Sequence, residues 1–361
     1  MGEAVAPVRP AGLVRGGRGM MAAAAAAYFA LAAAVFVAWL GLDFHLRARQ
    51  PGVTALRTAR LPDLVAGTAG RPYVMRALLP TMVRLASAAV PTHVQRKLDH
   101  RLVQAGGHLE RRVLGVLAWD PDELFDYLVA AGLAFASLLG FAFALRGLYT
   151  RLHPDRPAVS RLVPLVGLAA LPLSFLQGAH FFYDFPTLLL WTSALLLLLR
   201  PPEVAYYAVF ALAVFNKETS GLLVLVFVLY WWGQVPRAVV VRHAVAQGLV
   251  WVAIRGAVLY EFRNNAGPPF EVNLASNLSL MASRTSVPHD LMLVTVLVAA
   301  AIALRHEHRL IRAAFATLAP LIAAYFVVGR YGEIRFFYEA YPAIVVLVCD
   351  AVRDAVLALL A

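Results

Sequence analysis

Long apolar runs separated by short polar or basic breaks dominate this chain. The first covers 22–42, and a polar stretch over 43–123 follows it. Nine more runs follow, over 124–145, 162–176, 184–199, 203–215, 219–232, 244–260, 291–304, 310–328 and 336–350. Most are too long for strands, and the longest match the ~20 residues a helix needs to cross a bilayer. The pattern predicts an all-α polytopic membrane protein with about ten transmembrane helices, plus interfacial helices in a large first loop. Residues 1–20, rich in Pro, Gly and Arg, read as a disordered tail, and 21–361 as a single membrane domain. A cleaved signal peptide competes for the first run, but "VFVAWLGL" continues it without a clean small-residue site, which favours a retained anchor.

Composition supports the membrane reading. The chain is 61% hydrophobic and 15% charged, with a mean hydropathy of +0.70. A soluble domain of this size is far less apolar. The net charge of +11 is almost wholly arginine, since Lys97 and Lys217 are the two lysines of the chain. In a soluble protein that balance points to nucleic acid. Here the arginines sit at the ends of apolar runs and report orientation instead, so no nucleic-acid partner is expected. Cys349 is alone, which excludes an internal disulfide and a cysteine metal site. No HExxH, P-loop, GxSxG or dinucleotide fingerprint occurs.

With the N-terminus inside, the inner breaks carry Arg146, Arg151, Arg156, Arg161, Arg200, Arg237, Arg242, Arg305, Arg309, Arg312 and Arg353. The short outer breaks hold Lys217, Arg263, Arg284, Arg330 and Arg335. This bias places both termini in the cytoplasm of a bacterial inner membrane. An eleventh crossing over 73–90 inverts every later loop. Arg76 and Arg84, eight residues apart and near one helix face, fit an interfacial helix better. The stretch 94–117 reads as a surface helix broken at Gly106-Gly107.

This topology gathers the unusual polar clusters on the outer side. They are "LDFH" with Asp43, "QGAHFFYDFP" with His180 and Asp184, "NKET" with Lys217 and Glu218, and "RYGEIRFFYE" with Glu333 and Arg335. About 16 residues separate Lys217 from Arg200 and from Gly233. That is roughly 24 Å of helix against a ~30 Å hydrocarbon core. The turn at Lys217 is therefore recessed, and recessed charges face protein or a water-filled cavity. Each cluster also has a plainer reading. Lys217 and Glu218 pair with each other, Asp43 ends a span, Asp184 caps one, Glu333 pairs with Arg335, and Arg255 snorkels outward.

A first span ending in Asp43, a large loop of interfacial helices, short paired spans, "FNKETS", and a late "GEIRFFYEAYP" before the last span together resemble one family. It is the integral-membrane glycosyltransferases of the C superfamily, in an uncharacterised bacterial branch. The resemblance implies a lipid-linked sugar donor, a polyprenyl phosphate, with membrane lipids around it. It implies Asp43 as catalytic base, with Asp63 the next acid along. Lys217, Arg255, Arg335 and Arg76 are implied for the lipid phosphate, and Glu218 and Asp184 for sugar or acceptor. No adjacent acidic pair follows Asp43, so a divalent-metal cofactor there lacks support. A transporter or flippase is the rival reading, without a visible internal repeat or mid-span polar site. A polymerase or ligase of lipid-linked glycans is another, without the large late loop.

Overall fold

The computed structural model describes residues 12–49, 60–101, 123–175, 181–283, 307–330 and 333–360, with single positions between 294 and 304. Among these the chain is helical and forms no strand; one isolated bridge joins Trp232 and Val235. The helices are α1 (Gly12–Arg49), α2 (Leu61–Ala66), α3 (Leu78–Ala89), α4 (Leu124–Leu152), α5 (Pro157–Ala170), α6 (Pro172–Phe175) and α7 (Asp184–Leu198). They continue as α8 (Val204–Asn216), α9 (Leu223–Trp231), α10 (Arg237–Glu261), α11 (Leu274–Ser283), α12 (Arg309–Ala316), α13 (Leu318–Val328) and α14 (Tyr341–Leu360).

Five helical stretches are long and apolar enough to cross a membrane: Gly19–Gly41, Leu124–Leu152, Pro157–Phe175, Arg237–Glu261 and Arg309–Val328. Three of the other expected spans form shorter apolar helices, Asp184–Leu198, Val204–Asn216 and Glu218–Trp231. The last expected span corresponds to α14. The one expected over 291–304 falls mostly outside the described residues, as do 1–11 and 102–122. α1 runs through Asp43 to Arg49, beyond the apolar run, so the first loop begins later than its composition implies. The stretch over 73–90 is a 3-10 turn, Tyr73–Met75, followed by α3, which lies against α4.

Helix boundaries follow local chemistry. Pro62, Pro157 and Pro172 stand in first turns, where the missing N–H costs nothing, and Pro236 immediately precedes α10. The core lies where α4 packs along α7, with α1, α5, α8 and α14 around them. Ala134, Leu138, Phe141, Leu145 and Leu148 form one completely buried face of α4 at helical spacing. Gly140 and Gly147, two turns apart, take the side chains of Leu189 and Leu196. A Cβ would stand 3.1 Å from Leu189 and 3.3 Å from Leu196. In lipid, helices gain little from leaving apolar solvent, so such close dispersion contact holds them together.

The bundle has two unlike ends. At one, basic residues tie helix ends together. Arg161 accepts from Tyr28 through its carbonyl, Arg156 pairs with Asp350, and Arg309 donates to the carbonyls of Leu229 and Trp232. At the other end the short helices stop early. The 15 residues of α7 and 13 of α8 make helices of roughly 20 Å, about 10 Å less than a bilayer core.

Candidate functional site

The recess at this second end is a cavity of about 400 Å³. Arg76, Lys217, Glu218, Arg255, Glu333 and Arg335 all line it, from four separate parts of the chain. Arg76 leaves the 3-10 turn just before α3. Lys217 is the extended residue that ends α8, and Glu218 opens the 3-10 turn leading into α9. Arg255 is on the inward face of α10 with Gln247 and Val258. Glu333 and Arg335 stand between α13 and α14.

Lys217 does not pair with Glu218. Its Nζ lies 2.9 Å from Oε1 and 3.2 Å from Oε2 of Glu339, and Thr219 Oγ1 also donates to that carboxylate. Glu339 is completely buried behind the cavity and Lys217, at its lining, is only 5% exposed, so the pair ties the cavity wall to the protein interior. Glu218 is instead held by two guanidiniums, 3.3 Å from Arg76 and 3.8 Å from Arg255. Its side chain remains 39% exposed to the cavity. The backbone carbonyl of Glu218 accepts from Trp251 Nε1 at 3.0 Å, which fixes the turn against α10. Gly221 makes that possible, since a Cβ there would come within 2.6 Å of the same indole nitrogen.

Arg335 links the two halves of the wall. It reaches Asp184 Oδ1 at 3.4 Å and Glu333 Oε2 at 3.2 Å, and lies 4.5 Å over the Phe181 ring. Arg76 and Arg335 both donate to the hydroxyl of buried Tyr183, and Arg76 also covers its ring. Burial works against the charge on Arg76, but Tyr183 and Glu218 more than offset it, so its affinity for the proton is raised. Asn216 fastens the α8 end to α7, donating to Tyr183 O at 3.1 Å and Thr187 Oγ1 at 2.8 Å. An unbroken chain of polar contacts thus runs Asp184–Arg335–Tyr183–Arg76–Glu218–Arg255.

Two charge imbalances follow from this pairing. Arg76 and Arg255 share one carboxylate, leaving one positive charge in excess beside Glu218. Arg335 is shared by two carboxylates, leaving one negative charge in excess beside Glu333. On the rim, Arg330 pairs with Glu271 at 2.8 Å. Along the whole chain of contacts three guanidiniums meet three carboxylates, Glu218 between two of the former and Arg335 between two of the latter.

Asp184 does not line the cavity. It is 2% exposed, accepts from the Phe181 N–H at 2.9 Å, and anchors Arg335 from behind. Arg255 does not snorkel outward. It is 5% exposed and donates to Met75 O at 3.0 Å. His180 lies outside the described residues, and so does the side chain of Asp43. Asp43 follows Trp39 by one helical turn, and Trp39 packs 5.2 Å from both Phe182 and Phe185, which flank Tyr183 and Asp184. The helix carrying Asp43 therefore rises at the cavity end. Asp63 sits in the first turn of α2 and does not line the cavity.

Glu339, Tyr183, Trp251 and Glu271 are the contributors that sequence reasoning missed. Glu339 had a readable signal, because it is the acid nearest the start of the last span, as Lys217 is the cation nearest the start of its own. Trp251 and Tyr183 gave none, since aromatics at membrane edges are ordinary. No protein-family model, curated protein or solved structure matches the chain.

Proposed function

We propose that this protein is a membrane glycosyltransferase that moves a sugar from a polyprenyl-phosphate donor to an acceptor on the external face of a bacterial inner membrane. The observation that carries the reading is the cavity beside Glu218, where two guanidiniums share one carboxylate at the end of short apolar helices. A lipid phosphate is an anion, and Arg76 and Arg255 offer it charge-assisted hydrogen bonds. The two guanidiniums also meet the chemical need of the reaction. As the acceptor hydroxyl attacks the anomeric carbon, the bond from that carbon to the phosphate oxygen breaks and charge develops on the phosphate. A carboxylate takes the hydroxyl proton, a role the family resemblance gives to Asp43. Glu218 and Glu333 face the sugar and acceptor, and the Lys217–Glu339 and Asp184–Arg335 pairs hold the wall.

A transporter or flippase of a lipid-linked substrate is favoured less, because the charges gather at one end of the bundle rather than at mid-depth. A polymerase or ligase shares the chemistry and differs in acceptor.

The test is to supply purified protein in lipid nanodiscs with a panel of polyprenyl-phosphate sugars and to measure released polyprenyl phosphate. Turnover of one donor, lost in Arg255→Leu and in Asp43→Asn, is the expected result. Full turnover by Asp43→Asn refutes that base. Donor flipping without release of lipid phosphate refutes the transferase.

A further inference from the structure

At the opposite end of the bundle, a second cluster takes no part in the cavity. His153 caps the C-terminus of α4, Glu307 immediately precedes the His308 cap of α12, and Asp350 is buried midway along α14. α4 alone separates the two ends by roughly 40 Å, the length of its 29 residues. His153 Nε2 lies 3.1 Å from Glu307 Oε1 and 3.3 Å from Asp350 Oδ2, and one ligand atom from each residue falls within 4.8 Å of the others.

We infer that His153, Glu307 and Asp350 bind one divalent transition-metal ion, zinc by the imidazole and carboxylate donor set, with water in the remaining position. Three observations support this. First, the spacing fits. Tetrahedral zinc with bonds of ~2.0–2.1 Å puts neighbouring ligand atoms about 3.3 Å apart, and the two imidazole–carboxylate separations here are 3.1 and 3.3 Å.

Second, two of the three donor atoms make no hydrogen bond. His153 Nε2 and Asp350 Oδ2 are buried without a hydrogen-bond partner, and Asp350 is only 4% exposed. A protonated histidine bridging the two acids is the competing arrangement, and the metal content of the purified protein separates it from a bound cation. A nitrogen lone pair and two carboxylate oxygens converging on one point is what a cation needs.

Third, the outer contacts orient the ligands. Asp350 Oδ1 accepts from Tyr149 Oη at 2.7 Å and from Arg156 at 2.9 Å, which leaves Oδ2 turned to the site. Glu307 Oε1 accepts from the His308 N–H at 2.9 Å, and the His153 ring lies 4.7 Å from the Tyr149 ring. Partners of this kind fix a ligand's orientation in metal sites. The ion would clamp α4, α12 and α14 together at the basic end, where arginine side chains alone make weak ties.

The experiment uses full-length protein purified in detergent without a polyhistidine tag. It is equilibrated with Zn²⁺, cleared of free ion, and analysed for metal. The expected result is about one zinc per chain, falling below about a tenth in His153→Gln and in Asp350→Asn. Thermal unfolding of the wild type should shift upward with Zn²⁺ and not with Mg²⁺. Co²⁺ loaded into the wild type should give the intense visible absorption of a tetrahedral site, a readout that needs no variant to fold. No retained zinc and no cobalt spectrum in the wild type overturn the inference. Equal zinc in folded His153→Gln overturns it as well, and an equal shift with Mg²⁺ overturns the choice of metal. None of these outcomes depends on sugar transfer at the cavity.

Discussion

Removing both partners of the Lys217–Glu339 pair should cost clearly less than the sum of removing each alone. At 2.9 Å, the attraction at an effective dielectric constant near 20 is about 6 kcal/mol. Taking the two charges out of water costs several kcal/mol each, so the intact pair contributes little net stability. Truncating one partner leaves the desolvation cost without the attraction. Glu339, with no exposed surface, has no water to turn to. Lys217→Met and Glu339→Gln should each cost about 3–5 kcal/mol. The double variant should fall well short of the sum, by at least ~2 kcal/mol, since contacting charges couple on that scale. The assay is a double-mutant cycle by reversible unfolding in mixed detergent micelles. Thr219 donates to the same carboxylate and keeps one hydrogen bond to it in Lys217→Met. Additivity within ~0.5 kcal/mol would falsify the view that Lys217 serves Glu339, and would return it to a ligand-facing role.

Two further perturbations probe the cavity wall. Gly221→Ala forces a Cβ to within 2.6 Å of Trp251 Nε1. The indole must move and its bond to Glu218 O break, for a cost of about 1–3 kcal/mol, read by unfolding and by a change in tryptophan emission. An unchanged stability and spectrum refute the packing argument. Arg335→Gln leaves Asp184 buried with only the Phe181 N–H as partner, and should cost about 3 kcal/mol. Adding Asp184→Asn should recover much of that loss in the same unfolding assay, and failure to recover it counts against the pair.

The sequence determined the class of fold because the membrane leaves few choices. Backbone groups in hydrocarbon must bond within their own segment, so apolar runs of sufficient length become helices whatever their neighbours do. Most arginines lie at the ends of those runs for the same reason, since a charge must reach water or a partner. The shortness of the helix before Lys217 was legible too, because helix rise is constant and few residues lie between Arg200 and Lys217.

Which charges pair was not legible. Lys217 and Glu218 are adjacent in sequence but face different partners, because an extended residue followed by a 3-10 turn sends successive side chains apart. Lys217 meets Glu339 across 122 positions, and Glu218 meets Arg76 across 142. Such choices depend on which helix ends lie side by side and at what depth. The family resemblance implies Asp184 as a ligand, yet packing seals it behind Arg335. The His153–Glu307–Asp350 cluster was hidden for the same reason. Each member is an ordinary polar residue near the end of an apolar run, and only the packing of α4, α12 and α14 brings them within 4.8 Å. Periodicity and length fix a helix, but coordination and ion pairing are three-body and two-body facts that the tertiary packing alone decides.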